Sequence, residues 1–395
     1  MTPLENDGPS PLDFLPEILV AEMLNQTSGI MSEIQFQIEN ISKLKNSIRL
    51  KLEEIGLLRN IAELLAQKTH PTTVGIDGTY SVIKQLSIDT VAIAAVAVEG
   101  LIPPKEERPW KKPQHKLNVF PVGHHADTNA LCRGIMFSYE LELALKAPHN
   151  VVFLDGSLVS YLIGIGQGLY AIYKSSERDN APPELVNHFT ERLVDTLNNY
   201  YEILISSKIE RIYVGIPKYS SRNEIIGYIN KFDIEDEGLK NVNDKGLLSL
   251  VLKAGDVVGP VKLLVGGRWR LHLDGLPDHL SYLSDQVLAA LEDIYVLYFK
   301  PSVSHPTLRV EIAGEVARNK SRLSILLDAL YDQSRIPGVI EPYPIHIADM
   351  FVKNVHGSLH VLREAFISDI GEIPGIDFSD IYLFLHNYRS EGGFE

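Results

Sequence analysis

VGIDGTYSV (Val74–Val82) and VVFLDGSLVS (Val151–Ser160) are two strand-like apolar runs, and each carries Asp-Gly followed by a hydroxyl residue. A strand that finishes in Asp-Gly delivers a carboxylate to the sheet rim and then turns, because glycine tolerates positive φ. Two such strands side by side would set Asp77 next to Asp155. Paired carboxylates repel unless something positive sits between them, and a divalent cation is the usual occupant. Asp-Gly is also an ordinary turn dipeptide. The reading therefore depends on whether the rest of the chain supplies further ligands.

Composition sets the outer limits. The 395 residues are 45% apolar and carry a net charge of −14, with a single cysteine, Cys132. One cysteine excludes an internal disulfide framework and any multi-cysteine zinc site. The acidic balance argues against broad nucleic-acid coating, which needs a positive field, but not against DNA in a locally basic channel. The start MTPLENDGPSPLDF does not have the form of a secretory signal. No apolar run reaches the length of a membrane span, and TVAIAAVAV is strand-sized. A cytoplasmic protein without membrane contact is expected.

The first seventy residues form a region of their own. No proline occurs from Gly29 to Gln67, and Ile34, Ile41, Ile48 and Ile55 recur every seven residues. With Ile38, Leu44, Leu52 and Leu58 they describe a long amphipathic helix whose seam packs internally or pairs with a second copy. Pro71 closes it. Residues 1–70 are thus expected to be an N-terminal helical region and 71–395 the catalytic domain. After Thr72 the chain reads as two hairpin-like strands joined by QLSI, a third short strand around KLNVF, and a helix over Ala126–Ala147. NVVFLDGSLVS has the continuous apolar character of a buried central strand. A long helix near Pro183–Ser206, strands at IERIYVGIPK and LRVEIAGEV, and helices at SRLSILLDALYDQ and PIHIADMFVKNVHGSLHVLREAF complete the pattern.

An antiparallel meander leading through a helix into a central strand is the opening of a ribonuclease H-like fold. That predicts an α/β architecture with a mixed sheet flanked by helices. In such folds one carboxylate comes from the first strand, one from the first helix, one from the fourth strand and one from a C-terminal helix. The helix here offers Glu140 and Glu142. Residues two apart point to nearly opposite sides, so only one can face the site, and Glu140 flanks the apolar face.

GIDGTY, ELELALKA, VVFLDGSL, VGIPKYSS, NDKGLLSLVLKAGDVVGP, RVEIAG and PYPIHIADMFVK occur in this order from Thr73 to Lys353. In that register the chain resembles the NurA nuclease family. The resemblance implies a manganese-dependent DNA nuclease that works as a homodimer with HerA, a hexameric ATP-driven DNA translocase, in end resection and repair or in antiviral defence. It carries metal-ligand and catalytic roles to Asp77, Glu140, Asp155 and Asp349, and a place near the phosphate path to Lys218 and Ser220. One motif departs from the family pattern: EPYPIHIADMF has Glu341 where a tyrosine often stands, and Asp349 where the family has His or Asp. His346, one turn earlier, is the alternative to Asp349.

Phosphodiester hydrolysis needs an activated water and a stabilised leaving oxygen, which two cations about 3.5–4 Å apart provide. Mn2+ or Mg2+ prefers oxygen ligands, so four acids from separate elements suffice. For DNA contact the loop PPKEERPWKKPQHK offers Lys111 and Lys112 around Trp110, and GGRWRLHL offers a second basic-aromatic patch. Two rivals remain. Actin-like ATPases and sugar kinases also grip phosphates with paired Asp-Gly turns, although they have no use for acids at Glu140 and Asp349. A catalytically degenerate NurA-like adaptor of a translocase would keep the fold without the chemistry.

Overall fold

The computed structural model describes residues 15–65, 68–101, 108–110, 112–176, 178–229, 242–263, 276–371 and 377–386. The strands are β1 (Leu58–Asn60), β2 (Thr73–Lys84), β3 (Asp89–Glu99), β4 (Gln114–Val122), β5 (Val151–Asp155), β6 (Ile212–Ile216), β7 (Asp256–Lys262), β8 (Ile294–Phe299) and β9 (Leu308–Ala313). They form one mixed sheet in the order β1-β7-β8-β9-β6-β5-β2-β3-β4. β2 pairs in parallel with β5, and β5 with β6; the other pairings are antiparallel. The meander, central-strand and helix-flanked sheet expected of a ribonuclease H-like fold are all present.

The helices are α1 (Glu17–Glu54), α2 (Ile61–Leu64), α3 (Thr128–Lys146), α4 (Leu158–Tyr173), α5 (Pro183–Thr190), α6 (Leu193–Ile205), α7 (Glu224–Ile229), α8 (Asp244–Val251), α9 (Asp278–Leu291), α10 (Gly314–Ala317), α11 (Lys320–Gln333), α12 (Tyr343–Gly371) and α13 (Phe378–Phe384). β5 shows why its sequence is apolar throughout. Val152 and Leu154 join the core under α3, α4 and α6, while Val151 and Phe153 join the core under α11 and the start of α12. With both faces covered, alternation disappears.

Three boundaries differ from the sequence expectation. α1 starts twelve residues earlier, at Glu17, and stops at Glu54, where Gly56 takes φ +70°; glycine in that conformation ends helices as surely as proline does. The chain then enters edge strand β1 and α2 rather than continuing as helix to Gln67. The single helix expected over Pro183–Ser206 is two, α5 and α6. The sequence does not mark α4 as a helix, because Ile163 and Tyr170 on its exposed side are as apolar as the buried Leu158, Leu162, Ile165 and Leu169. Such a helix has no polar stripe to set a period.

The isoleucine seam divides along its length. Ile41, Ile48 and Leu52 are buried against α7, α8, β7 and β8, whereas Ile34 and Ile38 are exposed. No helix among the described residues is long and apolar enough to cross a membrane.

Candidate metal centre

The parallel register pairs Ile76 of β2 with Leu154 of β5, so the next residues, Asp77 and Asp155, emerge side by side. β5 ends there. Gly156, at φ +108°, turns the chain into α4, as its Asp-Gly pair predicts. The other Asp-Gly pair does not turn: β2 runs on through Gly78 to Lys84, as expected of a strand that continues to QLSI. Gly78 serves close approach instead. A Cβ there would lie 2.4 Å from Glu140 Oε1 and 2.9 Å from Met136 Cγ, so glycine lets α3 press Glu140 against the strand. Gly75 does the same for α12, whose first backbone atoms would meet a Cβ at 2.3 Å.

α12 brings Asp349 to the same point. Oxygen atoms of Asp77, Asp155 and Asp349 all lie within 4.8 Å of one another. Lys218, just beyond β6, stands among them, its Nζ 2.8 Å from Asp155 Oδ2, 2.9 Å from Asp349 Oδ1 and 3.3 Å from Glu341 Oε2. Lys353 Nζ holds the other Asp349 oxygen at 2.5 Å. His346 faces Glu341, with Nδ1 3.4 Å from Oε1. Glu140 is buried beside this group, outside the close trio, and accepts a hydrogen bond from the Tyr161 hydroxyl. Glu142 points the other way and pairs with Lys116 and Lys146.

Too much negative charge is gathered here for Lys218 and Lys353 to balance. Burial, then the nearby Asp155 and Asp349 charges, push Asp77 up to about 7 in spite of Lys218. Burial also raises Asp155, and it drives Glu140 well above the ordinary carboxylate range with Asp77 adding to the effect. Asp349 goes the other way. Burial tends to raise it, but hydrogen bonds and charge from Lys353 and Lys218 outweigh that and leave it low. Buried carboxylates short of positive charge, offering only oxygen donors, fit a hard divalent cation.

Several motif residues brace this arrangement. Glu311 Oε2 accepts from Ser157 Oγ at 2.7 Å and from Leu158 N at 2.9 Å, fixing the turn after Asp155. Lys245, from NDKG, donates to the Lys218 carbonyl at 2.6 Å and so holds the lysine's loop. Glu341, noted in the sequence only as a departure, has joined Lys218. Beyond the lysine, Ser220, Ser157, Ser160, Tyr219 and Arg222 line a cleft of about 190 Å³. Trp110 packs edge-on against His149 at 4.8 Å, and Lys112 is exposed. Lys111 and the GGRWRLHL patch lie outside the described residues.

The NurA domain family model matches residues 71–353. The chain belongs to the NurA family. Its fold is similar to that of the NurA nuclease from Sulfolobus solfataricus, at 15% identity and TM-score 0.55, over 89% of this chain and 99% of that one. It is also similar to a NurA solved with dAMP and manganese, at 12% identity and TM-score 0.52, over 90% and 99% of the two chains. No curated protein matches the sequence. The NurA match runs from β2 into α12 and so includes Asp77, Glu140, Asp155, Lys218, Glu341 and Asp349. Family membership displaces the actin-like reading, and the unbroken β2 removes one of the two phosphate-gripping turns on which that reading rested.

Proposed function

We propose that this NurA-family chain is a metal-dependent deoxyribonuclease acting on single- and double-stranded DNA ends. The observation that carries the proposal is the convergence of Asp77, Asp155 and Asp349 at the end of β5. These three would hold Mn2+ or Mg2+, with Glu140 behind them as the fourth acid. Two such ions supply an activated water and charge stabilisation at the leaving oxygen. The chain's own groups do the rest. Lys218 keeps Asp155 and Asp349 in place and is near enough to meet a phosphate, and Lys353 orients Asp349. Ser220 and the neighbouring cleft lie on the phosphate path, with Trp110, Lys111 and Lys112 as more distant DNA contacts. The intact trio favours catalysis over a purely adaptor role.

The partners proposed are a HerA-type translocase hexamer and a second copy of the chain, in the cytoplasm, for end processing in repair or in anti-phage defence. The exposed apolar face of α1 made by Ile30, Ile34 and Ile38 supports an assembly role for that helix. The deciding experiment incubates the purified protein with single- and double-stranded DNA in Mn2+, Mg2+ or chelator, with and without a HerA-type hexamer. Cleavage that needs the cation is expected. Cleavage undiminished by chelator, or none under any condition, overturns the reading.

A further inference from the structure

α12 carries a second group of ligand-type side chains beyond Asp349. His356 follows Asp349 by seven residues and His360 by eleven, so both share its side of the helix. Their Nε2 atoms lie 3.3 Å apart. Zinc–nitrogen bonds of about 2.0–2.1 Å at a tetrahedral angle set two ligand nitrogens about 3.3–3.4 Å apart, so the two rings already stand at the separation of ligands on one ion. The other face of the first ring is fixed as well. Ser81 Oγ lies 2.5 Å from His356 Nδ1. A metal-bound histidine characteristically donates its second ring N–H to an oxygen, which sets the tautomer and turns Nε2 outward as a lone pair.

This pair is separate from the carboxylate centre. Seven residues of helix rise put His356 about 10 Å further along α12 than Asp349. The donor chemistry differs too: imidazole nitrogen suits zinc, copper and nickel, whereas the acids suit manganese and magnesium. His356 is exposed, so water or an anion can complete the coordination.

We infer that His356 and His360 form a second, nitrogen-donor site for a divalent transition cation of the zinc or copper class, steadied by Ser81. The competing account is a plain N–H···N hydrogen bond between neutral rings, which would use the same lone pair and bind no ion.

The test uses the full-length protein with excess Mg2+ to hold the carboxylate centre, and one equivalent of Cu2+ as the probe. Electron paramagnetic resonance should show hyperfine structure from two imidazole nitrogens. His360→Ala should remove one nitrogen and weaken Cu2+ binding at least about tenfold, with circular dichroism confirming the fold. Ser81→Ala should weaken it about 10-fold without changing the nitrogen count. Asp77→Asn should leave this site intact. A spectrum without two nitrogens, or unchanged Cu2+ affinity in His360→Ala, overturns the proposal. The result is independent of whether the chain cleaves DNA.

Discussion

Two cations in this protein each sit among several acids, and they do opposite things. Arg309 is 1% exposed and bonds Glu224 through two nitrogens at 2.8 and 3.1 Å, Glu311 at 3.1 Å and the Tyr298 hydroxyl at 2.6 Å. Lys218 is 31% exposed and faces Asp155, Asp349 and Glu341 with Asp77 beside them. Around the arginine the charges it pairs directly are settled. Burial alone would raise Glu224, yet the Arg309 hydrogen bonds and charge outweigh it and leave the carboxyl low. Around the lysine they are not, and Asp77 and Asp155 remain raised. A planar guanidinium satisfies carboxylates in pairs, whereas an ammonium is a point charge that several acids must share. The first cluster is a brace. The second retains a demand for positive charge, which is what a cation site needs.

The largest expected effect separates the clusters by activity. Asp155→Asn keeps the size of the side chain while removing its charge, so DNA cleavage should fall at least about 100-fold. The folded structure should survive, because the substitution relieves repulsion. A purified, folded Asp155→Asn protein that cleaves DNA at the native rate would remove the acid from the site.

Stability gives the next contrast. Arg309→Met leaves Glu224 and Glu311 buried without their partner, a change that costs about 3–5 kcal/mol. Glu311 also caps the turn that follows Asp155, so loss there should loosen the site as well as the fold. Lys218→Met removes a cation that water already reaches, and Asp77 and Asp155, both already raised, can take up protons in its absence, so its cost should be smaller than that of Arg309→Met. Urea unfolding of both variants in chelator checks the ordering. Equal losses would mean that the two clusters are equally structural.

The sequence carries different parts of this picture with different clarity. The central strand was legible in its unbroken apolar run, and Asp77, Glu140, Asp155 and Asp349 in the order of the motifs. Glu140 rather than Glu142 follows from helical geometry, and Glu142 does face Lys116 and Lys146. The two Asp-Gly pairs looked alike but are not. One makes a turn at Gly156, and the other makes room at Gly78 for a side chain sixty-two residues later. Nothing local distinguishes them, because the crowding atom belongs to α3. Glu341 was hidden for the same reason, since its partner Lys218 is far away in sequence. β7 and β8 are hydrophobic pairings between distant segments, and α4 lacks the polar stripe that marks a helix.

The smallest expected effect is the one most specific to the lysine cluster. In metal-free protein Asp77 holds its proton up to about 7, against an ordinary value of 3.8. The folded state therefore binds that proton more tightly than the unfolded chain does. Its stabilising contribution is complete below about 4 and is lost as pH rises through 7. Asp155 acts in the same sense, while the lowered Asp349 acts in the opposite one, contributing above its ordinary range and losing that contribution in acid. The comparison to make is thus between wild type and Asp77→Asn, which differ in the one group. In chelator the melting temperature of wild type should fall relative to Asp77→Asn between pH 5 and pH 8. Saturating Mn2+ should cancel that relative fall, because the cation binds the deprotonated acid and its stabilisation grows with pH. Arg309 takes no part in either change. Melting curves that stay parallel from pH 5 to pH 8 would show that Asp77 is already ionised in the fold, and the contrast between the two cations would then rest on exposure alone.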